Sequence, residues 1–511
     1  MPATALTAAT HGIDAIPVHV EVDTDRQLPS FTVVGLPDGA VRESKERVMA
    51  AVRNAGFEWP RRRVTVNLAP ADIRKEGSAF DLPIAIGILA ASGQLKNGRL
   101  GDFVLLGELS LDGSLRPVRG VLPVALGLKR RDQYGMVLPR DNAREAAIAA
   151  GPLVYAAESL RQAVDILEGD ARYAPFALDA ASVLRQAAGY AVDFAEVRGQ
   201  AHAKRALEVA AAGGHNIAMV GSPGSGKTML ARRVPTVLPD LTLEEALDTT
   251  RIHSVAGVLP PDRALVAARP FRAPHHTISD AGLIGGGPYP RPGEVSLAHH
   301  GVLFLDELPE FRKHVIEALR QPVEDHHVSI ARAAVTVSYP ASFMLVAAMN
   351  PCPCGFLGDP QHECGCSPYQ VQRYRARVSG PVLDRMDLHI EVPALSCAEL
   401  VGGEGAEGSA AVRERVNAAR QRQLQRFAGA DGVFCNAHMG PGQIRRFCGV
   451  GADGHRLLEK AINALGLSAR AYDRVLKVSR TVADLADEEK IGPGHIAEAV
   501  QYRSLDRSAW S

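Results

Sequence analysis

The sequence predicts an α/β multidomain protein, and the length of the chain and its changes of pattern lead to this fold class. Its 511 residues suffice for roughly three domains of about 150 residues each. Residues 1–168 alternate strand-like runs, such as VHVEV and RVTVNLA, with helical stretches, which is typical of an α+β domain. Residues 169–194 lack a firm amphipathic period and are predicted to be a linker. Residues 195–394 open with a helix, a buried strand, a Gly-rich loop and a second helix, as α/β domains do, and residues 395–511 are predicted to be helical.

The composition narrows the classes of function before any motif is considered. Hydrophobic residues make up 46% of the chain and charged residues 22%, and no run of eighteen apolar residues occurs, so we expect no membrane span. The N-terminus lacks a basic flank followed by a long apolar run, so we expect no secretory signal and a cytoplasmic protein. Lys plus Arg number 57, as do Asp plus Glu. Any affinity for nucleic acid must therefore come from a local cluster of charge.

One local cluster of basic residues lies in AVRERVNAARQRQLQRF, residues 411–427. It contains five arginines and a single glutamate. Two interpretations are open for it: a surface that binds nucleic acid, or the solvated face of a helix.

A Gly-rich loop predicts a nucleotide site in the central domain. GSPGSGKT fits the pattern G-x-x-x-x-G-K-[ST] and lies between the apolar strand HNIAMV and the helix MLARRV, which is the context this motif requires. Backbone N–H groups of such a loop point at phosphate oxygens, and the helix N-terminus adds a favourable dipole. We expect the lysine to hold the β- and γ-phosphates of ATP and the threonine to bind Mg²⁺. The predicted ATP-binding residues are Gly221, Ser222, Pro223, Gly224, Ser225, Gly226, Lys227 and Thr228.

Polar residues that follow two further predicted strands complete this site. The run GVLFLDELPE places Asp306 and Glu307 directly after four apolar residues, and SFMLVAAMN ends in Asn350. Parallel strands of one sheet place such residues at its carboxyl edge, beside the phosphates. Asp306 suits the Mg²⁺ shell, Glu307 suits activation of the attacking water, and the Asn350 amide suits its orientation. The alternative for Asn350 is a turn residue that ends a strand.

Four of the seven cysteines fall within NPCPCGFLGDPQHECGC, residues 350–366. Cys352, Cys354, Cys364 and Cys366 have the number and clustering of a structural Zn²⁺ knuckle at residues 352–366, with four thiolates closing a tetrahedral shell. The spacing within each pair is shorter than usual, His362 is an alternative ligand, and four reduced thiols remain the alternative to a metal site. The histidine pairs 275–276 and 299–300 are predicted to make packing or ring contacts, because adjacent side chains of a strand point to opposite faces.

With these motifs in hand, the chain closely resembles the magnesium-chelatase-like AAA+ ATPases of the ComM/YifB type. The resemblance runs nearly end to end and includes KEGSAFDLPIA, VRGQAHAKRALEVAAAGGHN, FRAPHHTIS, NPCPCG, SGPVLDRMDLHIEV and LSARAYDRVLKVSRTVADL. It implies a Lon-protease-like α+β N-terminal domain, an AAA+ P-loop NTPase core and a helical C-terminal lid. It further implies a homo-oligomer, expected to be a hexamer, with ATP and Mg²⁺ as cofactors and single-stranded or branched DNA as partner.

The resemblance also assigns roles to individual arginines. Arg385, in SGPVLDRMDL, matches the arginine finger that reaches the γ-phosphate of a neighbouring subunit, and Arg470, in LSARAYDR, matches the sensor arginine of the lid. Both roles require a ring. The alternative for each arginine is a surface ion pair. The segment HHVSIARAAVTVSYP reads as a β-hairpin, and in related ring motors a hairpin at this place carries a basic residue toward DNA, which would be Arg332. The alternative is a solvated arginine at a turn.

Three functions follow from these observations. The favoured one is an ATP-hydrolysing ring motor on DNA, a helicase or branch-migration translocase in recombination or natural transformation. One alternative is a chelatase-type motor that drives metal insertion through a partner protein. The other is a Lon-like ATP-dependent protease, in which Ser78 of KEGSAFDLPIA would be the nucleophile. Such enzymes need a lysine base, and Leu122 stands where it is expected, with Lys129 too far along. The N-terminal domain is therefore predicted to be proteolytically silent.

Overall fold

The computed structural model describes residues 2–503 apart from positions 76, 97–98, 129–134, 188, 261–262, 288–289, 333–334, 379, 396–406 and 431. The chain forms two compact units. The first comprises residues 1–188 together with 242–267, and the second comprises 189–241 together with 268–511. The segment 242–267 thus lies in the first unit although the chain has by then entered the second. The domain boundaries expected at 168, 195 and 395 remain predictions.

A seven-stranded mixed sheet forms the centre of the first unit. Alternation of buried and exposed positions, as in Arg63–Ala69, gives the strands one face toward the core. The second strand of the chain pairs antiparallel with the first and the fourth, and the remaining neighbours are parallel. In spatial order the strands are Ser30–Val34, Arg63–Ala69, Asp14–Asp25, Ala3–His11, Phe103–Leu105, Gly135–Pro139 and Leu153–Ala157.

Helices cover this sheet, and one of them is apolar apart from its first residue, Asp81. Asp81–Ala91 is buried over nearly its whole length, as its sequence DLPIAIGILAA predicts for a central helix. A short two-stranded pair, Glu108–Leu109 with Leu115–Arg116, lies beside it. The helices of the first unit are Gly39–Arg42, Ser44–Asn54, Asp81–Ala91, Val121–Leu128, Ala143–Ala147, Leu160–Leu167, Ala180–Ala187 and Leu243–Ala256, with 3₁₀ turns at Ser78–Phe80, Arg99–Asp102 and Arg140–Asn142.

The segment predicted as a linker contains a helix. Ala180–Ala187 packs against Leu243–Ala256, which begins with a capping box between Thr242 and Glu245. This packing lies within the first unit and could not be read from the local pattern of residues 169–194.

A five-stranded parallel sheet forms the centre of the second unit. In spatial order its strands are Phe271–Arg272, Val302–Leu305, Met344–Met349, Ile217–Val220 and Leu388–Glu391. The middle strand is buried at every position, as a parallel strand covered on both faces should be. Two antiparallel pairs accompany the sheet, Gly285–Gly286 with Arg291–Pro292 and His327–Arg332 with Val335–Pro340.

Two helices beside the Gly-rich loop and the C-terminal helices of the second unit share one hydrophobic core with this sheet. Ser409–Arg426 and Ala469–Leu485 both pack on Ala201–Gly213, next to the sheet. None of the helices in the described part of the chain combines the length and apolarity that a membrane span requires. The helices are Ala201–Gly213, Lys227–Val237, Asp280–Leu283, Glu294–Leu297, Lys313–Ala318, Arg320–Asp325, Pro368–Arg375, Gly380–Leu383, Ser409–Arg426, Pro441–Phe447, Ala452–Leu465, Ala469–Leu485 and Pro493–Gln501, with 3₁₀ turns at Phe194–Glu196, Leu308–Glu310 and Asn436–His438.

Candidate active site

The polar residues predicted for the nucleotide site meet at the carboxyl edge of the parallel sheet. The Gly-rich loop follows the strand Ile217–Val220, and Asp306 and Glu307 follow Val302–Leu305. The strand that ends before Asn350 lies between these two and is hydrogen-bonded to both. The structure therefore brings the loop, both carboxylates and the amide to one edge, as the strand-end argument predicted.

Lys227 is the first residue of the helix that follows the loop. Its Nζ donates to the carbonyl oxygens of Gly221 at 2.8 Å and Ser222 at 2.9 Å, and lies 3.3 Å from Asn350 Oδ1. Burial lowers the pKa of Lys227, while the Asp306 carboxylate opposes that shift. The ammonium group is thus held against the loop, where a phosphate would meet it.

Thr228 and Asp306 form the second half of the site. The Thr228 hydroxyl donates to Asp306 Oδ2 at 2.6 Å. A hydroxyl and a carboxylate beside an ammonium group and a helix N-terminus are the donor set that suits Mg²⁺ with nucleotide phosphates. The loop itself is closely fitted, since a Cβ on Gly221 would lie 2.1 Å from the Val392 carbonyl oxygen. These residues fit ATP and Mg²⁺.

Glu307 has a strained backbone and an exposed side chain. Its φ of 53° lies in the left-handed region, which is unfavourable for a residue with a Cβ. Its backbone N–H donates to Asp306 Oδ1 at 3.0 Å, and its carboxylate lies 3.5 Å from His276 Nδ1. Such strain is common at functional sites. The carboxylate is 58% exposed beside His276, so water can reach it.

The contact of His276 with Glu307 was missed by the sequence analysis. The premise of the reasoning about histidine pairs was wrong, because neither pair lies in a strand. The two rings of each pair do not point apart as that premise implied, since the rings of 275 and 276 are 4.1 Å apart and those of 299 and 300 are 3.9 Å apart. The signal that could have located His276 is its place in FRAPHHTIS, directly after the short strand Phe271–Arg272.

Gln200 is another contact of the loop that sequence reasoning missed. Its side-chain amide donates to the carbonyl oxygens of Ser225 at 3.3 Å and Pro393 at 2.6 Å. It therefore connects the Gly-rich loop to the segment that follows the edge strand of the sheet.

The four clustered cysteines have the geometry of a tetrahedral metal site. The sulfur of Cys352 lies 3.3 Å from that of Cys354 and 3.7 Å from that of Cys364, and the sulfurs of all four cysteines lie within 4.8 Å of one another. Four sulfurs that each lie about 2.3 Å from a central Zn²⁺ are about 3.8 Å apart. All four are free thiols. The donor set therefore fits a closed structural Zn²⁺ site.

The alternative ligand His362 lies outside this sulfur cluster. Its Nδ1 is 3.3 Å from Asp359 Oδ1, and its ring lies against Phe356 with centroids 4.8 Å apart. Among the described residues, the group close enough to hold one metal ion is the four cysteines alone. The structure thus favours the four-thiolate set over one that includes the histidine.

The cysteine loop packs directly on the Gly-rich loop, which the sequence did not reveal. A Cβ on Gly355 would lie 2.5 Å from Pro223 Cδ, so the two loops approach at a distance that only glycine permits. Asp359 also accepts a hydrogen bond from the Ser222 side chain. The backbone N–H groups of residues 361 and 362 donate to the same carboxylate, and these hydrogen bonds together lower the pKa of Asp359. Any metal held by the cysteines would therefore brace the phosphate-binding loop.

The two predicted arginines of the ring mechanism lie elsewhere in the second unit. Both line a cavity of 450 Å³. Arg385 is buried, with Nη1 donating to the Pro381 carbonyl at 2.6 Å and Nη2 paired with Glu324 at 2.5 Å. Arg470 is exposed. In the described part of the chain no hydrogen bond or ion pair joins either arginine to Lys227 or Glu307.

The predicted hairpin is present. His327–Arg332 pairs antiparallel with Val335–Pro340, with Arg332 opposite Val335 next to the turn. Arg332 is exposed, and its guanidinium lies close to Gly286, where an added Cβ would be 3.2 Å from Nη2. Residues 333–334, which connect the two strands, lie outside the described residues.

The arginine-rich helix is a solvated face only in part, because Arg415 is exposed and the other four arginines are half-buried. Ser409–Arg426 packs into the core of the second unit, and its arginines bind carboxylates and carbonyl groups there. The side-chain partners are Asp240 for Arg413, Glu208 and Glu407 for Arg415, Asp487 for Arg422, and Asp484 and Asn436 for Arg426. The backbone partners are the carbonyls of Ala211 and Ala212 for Arg420 and that of Asp484 for Arg422. These pairs reduce the charge that the helix offers to a nucleic acid.

The predicted position of a proteolytic nucleophile has a carboxylate partner. The Ser78 hydroxyl donates to Glu108 in the first unit. Leu122, which stands where a lysine base is expected, is fully buried, and Lys75 donates to the Pro70 carbonyl. Lys129 lies outside the described residues. In the described part of the first unit, Ser78 therefore has no hydrogen bond to a lysine.

Comparison with known proteins agrees with these features along the whole chain. The family model described as "Magnesium chelatase, subunit ChlI" matches residues 193–400, "Subunit ChlI of Mg-chelatase" matches 20–142, and "Magnesium chelatase, subunit ChlI C-terminal" matches 406–503. Competence protein ComM of Haemophilus influenzae is 46% identical over 503 residues, covering 98% of this chain and 97% of that protein. YifB of Escherichia coli is 43% identical over 506 residues with the same coverage. The chain therefore belongs to the magnesium-chelatase-like AAA+ family of ComM and YifB.

Proposed function

We propose that the chain is an ATP-hydrolysing ring motor that acts on DNA, as a helicase or branch-migration translocase in recombination or natural transformation. The observation that carries the ATPase part is the meeting of Lys227, Asp306, Glu307 and Asn350 at one sheet edge. The DNA part is supported by the full-length similarity to a protein named for competence. The chelatase-type motor is the second candidate, because the matching family models carry that description.

In this proposal each residue of the site has one task. Lys227 and the loop amides bind the β- and γ-phosphates, and Thr228 and Asp306 hold the Mg²⁺ that neutralises them. Glu307 accepts the proton of the attacking water, and Asn350 orients that water. The Mg²⁺ supplies charge stabilisation for the transferred phosphoryl group.

The experiment that tests the proposal compares ATP hydrolysis without DNA and with single-stranded, duplex and branched DNA. We expect DNA to stimulate hydrolysis, because a translocase couples its motor to the strand it moves. Hydrolysis that is indifferent to every DNA but rises with a porphyrin-binding partner protein would instead favour the chelatase-type motor.

The roles proposed for Arg385 and Arg470 require a ring, expected to be a hexamer. Arg385→Ala should lower ATP hydrolysis by about 10³-fold, because an arginine finger stabilises charge in the transition state. When the variant is mixed with wild-type subunits, the loss should exceed the variant's share, since each missing finger disables a neighbour's site. Arg456→Ala is the control, because Arg456 is exposed and pairs with Asp453 one helical turn away. A loss strictly proportional to the variant's share would contradict action in trans.

The hairpin supplies the proposed DNA contact. Arg332 is exposed at the end of its strand and has no ion pair among the described residues, so its charge is available to a phosphate. Arg332→Ala should keep basal ATP hydrolysis and ring assembly but lose DNA stimulation and strand displacement. For this variant, the plot of log DNA affinity against log salt concentration should become less steep by about 1 for each phosphate contact removed. Arg332→Lys is the control and should retain much of the stimulation. An unchanged slope in the alanine variant would place the DNA path elsewhere.

The two remaining regions take supporting roles in the proposal. The first unit is a Lon-protease-like domain without peptidase activity, which agrees with the pairing of Ser78 with Glu108. The helices of the C-terminal part form the lid, with Arg470 as its sensor. The cysteine loop holds a structural Zn²⁺.

A further inference from the structure

The first unit contains a groove of 1080 Å³ that the nucleotide site does not explain. Aromatic residues make up 5% of the chain, yet three of them line this groove. The ring centroids of Phe31 and Trp59 are 6.0 Å apart, and both rings are partly exposed. Phe57 lies beside them. The groove therefore brings three partly exposed aromatic side chains together at one place, at the edge of the core of the first unit.

Local structure explains why these side chains meet. Phe31 belongs to Ser30–Val34, the edge strand of the seven-stranded sheet, and Trp59 lies in the segment that leads from the helix Ser44–Asn54 to the next strand. The helix contributes Lys45 and Arg53, eight residues apart and therefore on one face. The groove is thus framed by a helix, a loop and an open sheet edge.

The charge of the groove is strongly positive although the whole chain is neutral. Lys45, Arg53, Arg61 and Arg62 line it with a single carboxylate, that of Glu58. The three arginines are exposed, and within the described ranges no carboxylate pairs with them. Their charges are not neutralised by the protein and remain available to a polyanion.

Partly exposed aromatic rings beside arginines without ion pairs are the combination that binds single-stranded nucleic acid. Bases stack on the rings, and the backbone phosphates follow the cations. A duplex keeps its bases stacked on each other and would not use the rings. We infer that this groove binds single-stranded DNA by stacking bases on Trp59 and Phe31 while Arg61 and Arg62 contact the phosphates. The inference rests on the proposed DNA function and assigns the first unit a strand-holding role within it.

The test uses the full-length protein and oligothymidylate as the probe. In a Trp510→Phe background Trp59 is the single tryptophan, and stacking should quench its fluorescence as oligothymidylate is added. Arg61→Ala with Arg62→Ala should weaken binding and flatten the salt slope by about 1.4, since single strands lose about 0.7 per phosphate contact. Trp59→Ala should weaken binding by about tenfold or more. Arg140→Ala with Arg144→Ala, which removes the same charge away from the groove, should change nothing.

The outcomes separate the groove from the proposed function. Unquenched Trp59 fluorescence together with wild-type affinity and salt slope in the Arg61/Arg62 variant would overturn the groove inference, even if DNA still stimulates ATP hydrolysis. Quenching that depends on both arginines, in a protein whose hydrolysis ignores DNA, would sustain the groove and overturn the motor. Equal quenching by polyglutamate would overturn the assignment to nucleic acid. If Trp59→Ala fails to fold, the variant with Arg61→Ala and Arg62→Ala still decides the test, because both of these side chains are exposed.

Discussion

Glu307→Gln is expected to abolish ATP hydrolysis while ATP binding stays intact. The side chain of Glu307 is exposed and contacts His276, whereas the phosphate-binding loop is held by Lys227. Glutamine keeps the size of the side chain but cannot accept the proton of the attacking water, so kcat should fall by about 10²–10⁴-fold. Lys227→Ala should instead weaken nucleotide binding, because it removes the charge that faces the phosphates.

The measurement pairs equilibrium binding of ATP with single-turnover hydrolysis for both variants. Glu310→Gln is the control, since Glu310 lies three residues on, is exposed and pairs with Arg377 at 2.9 Å. It should hydrolyse ATP nearly as the wild type does. If Glu307→Gln and Lys227→Ala lose binding to the same extent, the roles assigned to these two residues are wrong.

Cys354→Ser combined with Cys364→Ser should release about one zinc per chain and weaken ATP binding at the same time. Two serines cannot complete a four-thiolate shell, and structural Zn²⁺ contributes about 10 kcal/mol or more to the folding of small zinc modules. The effect should reach the nucleotide because the cysteine loop contacts Pro223 through Gly355 and binds Ser222 through Asp359. The thermal midpoint of the second unit should fall as well.

Metal analysis of the purified protein, followed by ATP titration, checks this prediction. His362→Ala is the matched control and should keep its zinc, because the histidine contacts Asp359 rather than the sulfur cluster. Wild-type protein without zinc, together with unchanged stability of the cysteine variant, would mean that the four residues are plain thiols. Loss of zinc in His362→Ala would mean that the histidine is a ligand.

The sequence predicted the nucleotide site because its signals are local. A Gly-rich loop between an apolar strand and a helix, and carboxylates directly after an apolar strand, fix both the element and the edge at which these residues emerge. The order of the strands in the sheet did not have to be predicted, because Lys227, Asp306 and Asn350 all emerge at the same edge. The hairpin before Asn350 was equally local and is present.

What the sequence could not predict depends on packing between distant segments. The charges of Ser409–Arg426 suggested a solvated face, but the acceptors of these arginines include Glu208, roughly 200 residues earlier in the chain. The bond of Asp359 to Ser222 and the contact of His276 with Glu307 are of the same kind. No periodicity or spacing in a single sequence encodes which distant group a polar side chain will meet.

The return of residues 242–267 to the first unit has a consequence for protein synthesis. In that unit the helix Leu243–Ala256 packs on Val121–Leu128, and Ser254 donates a hydrogen bond to the buried Glu145. A nascent chain that has emerged only as far as residue 188 therefore lacks a helix that its N-terminal unit needs, and Glu145 lacks one of its partners. At about 5–20 residues per second, the ribosome supplies that helix seconds later, after the Gly-rich loop has already emerged. The first unit therefore cannot finish folding until part of the second unit has been synthesised. An expression fragment that ends at residue 188 would expose apolar surface and be prone to aggregation.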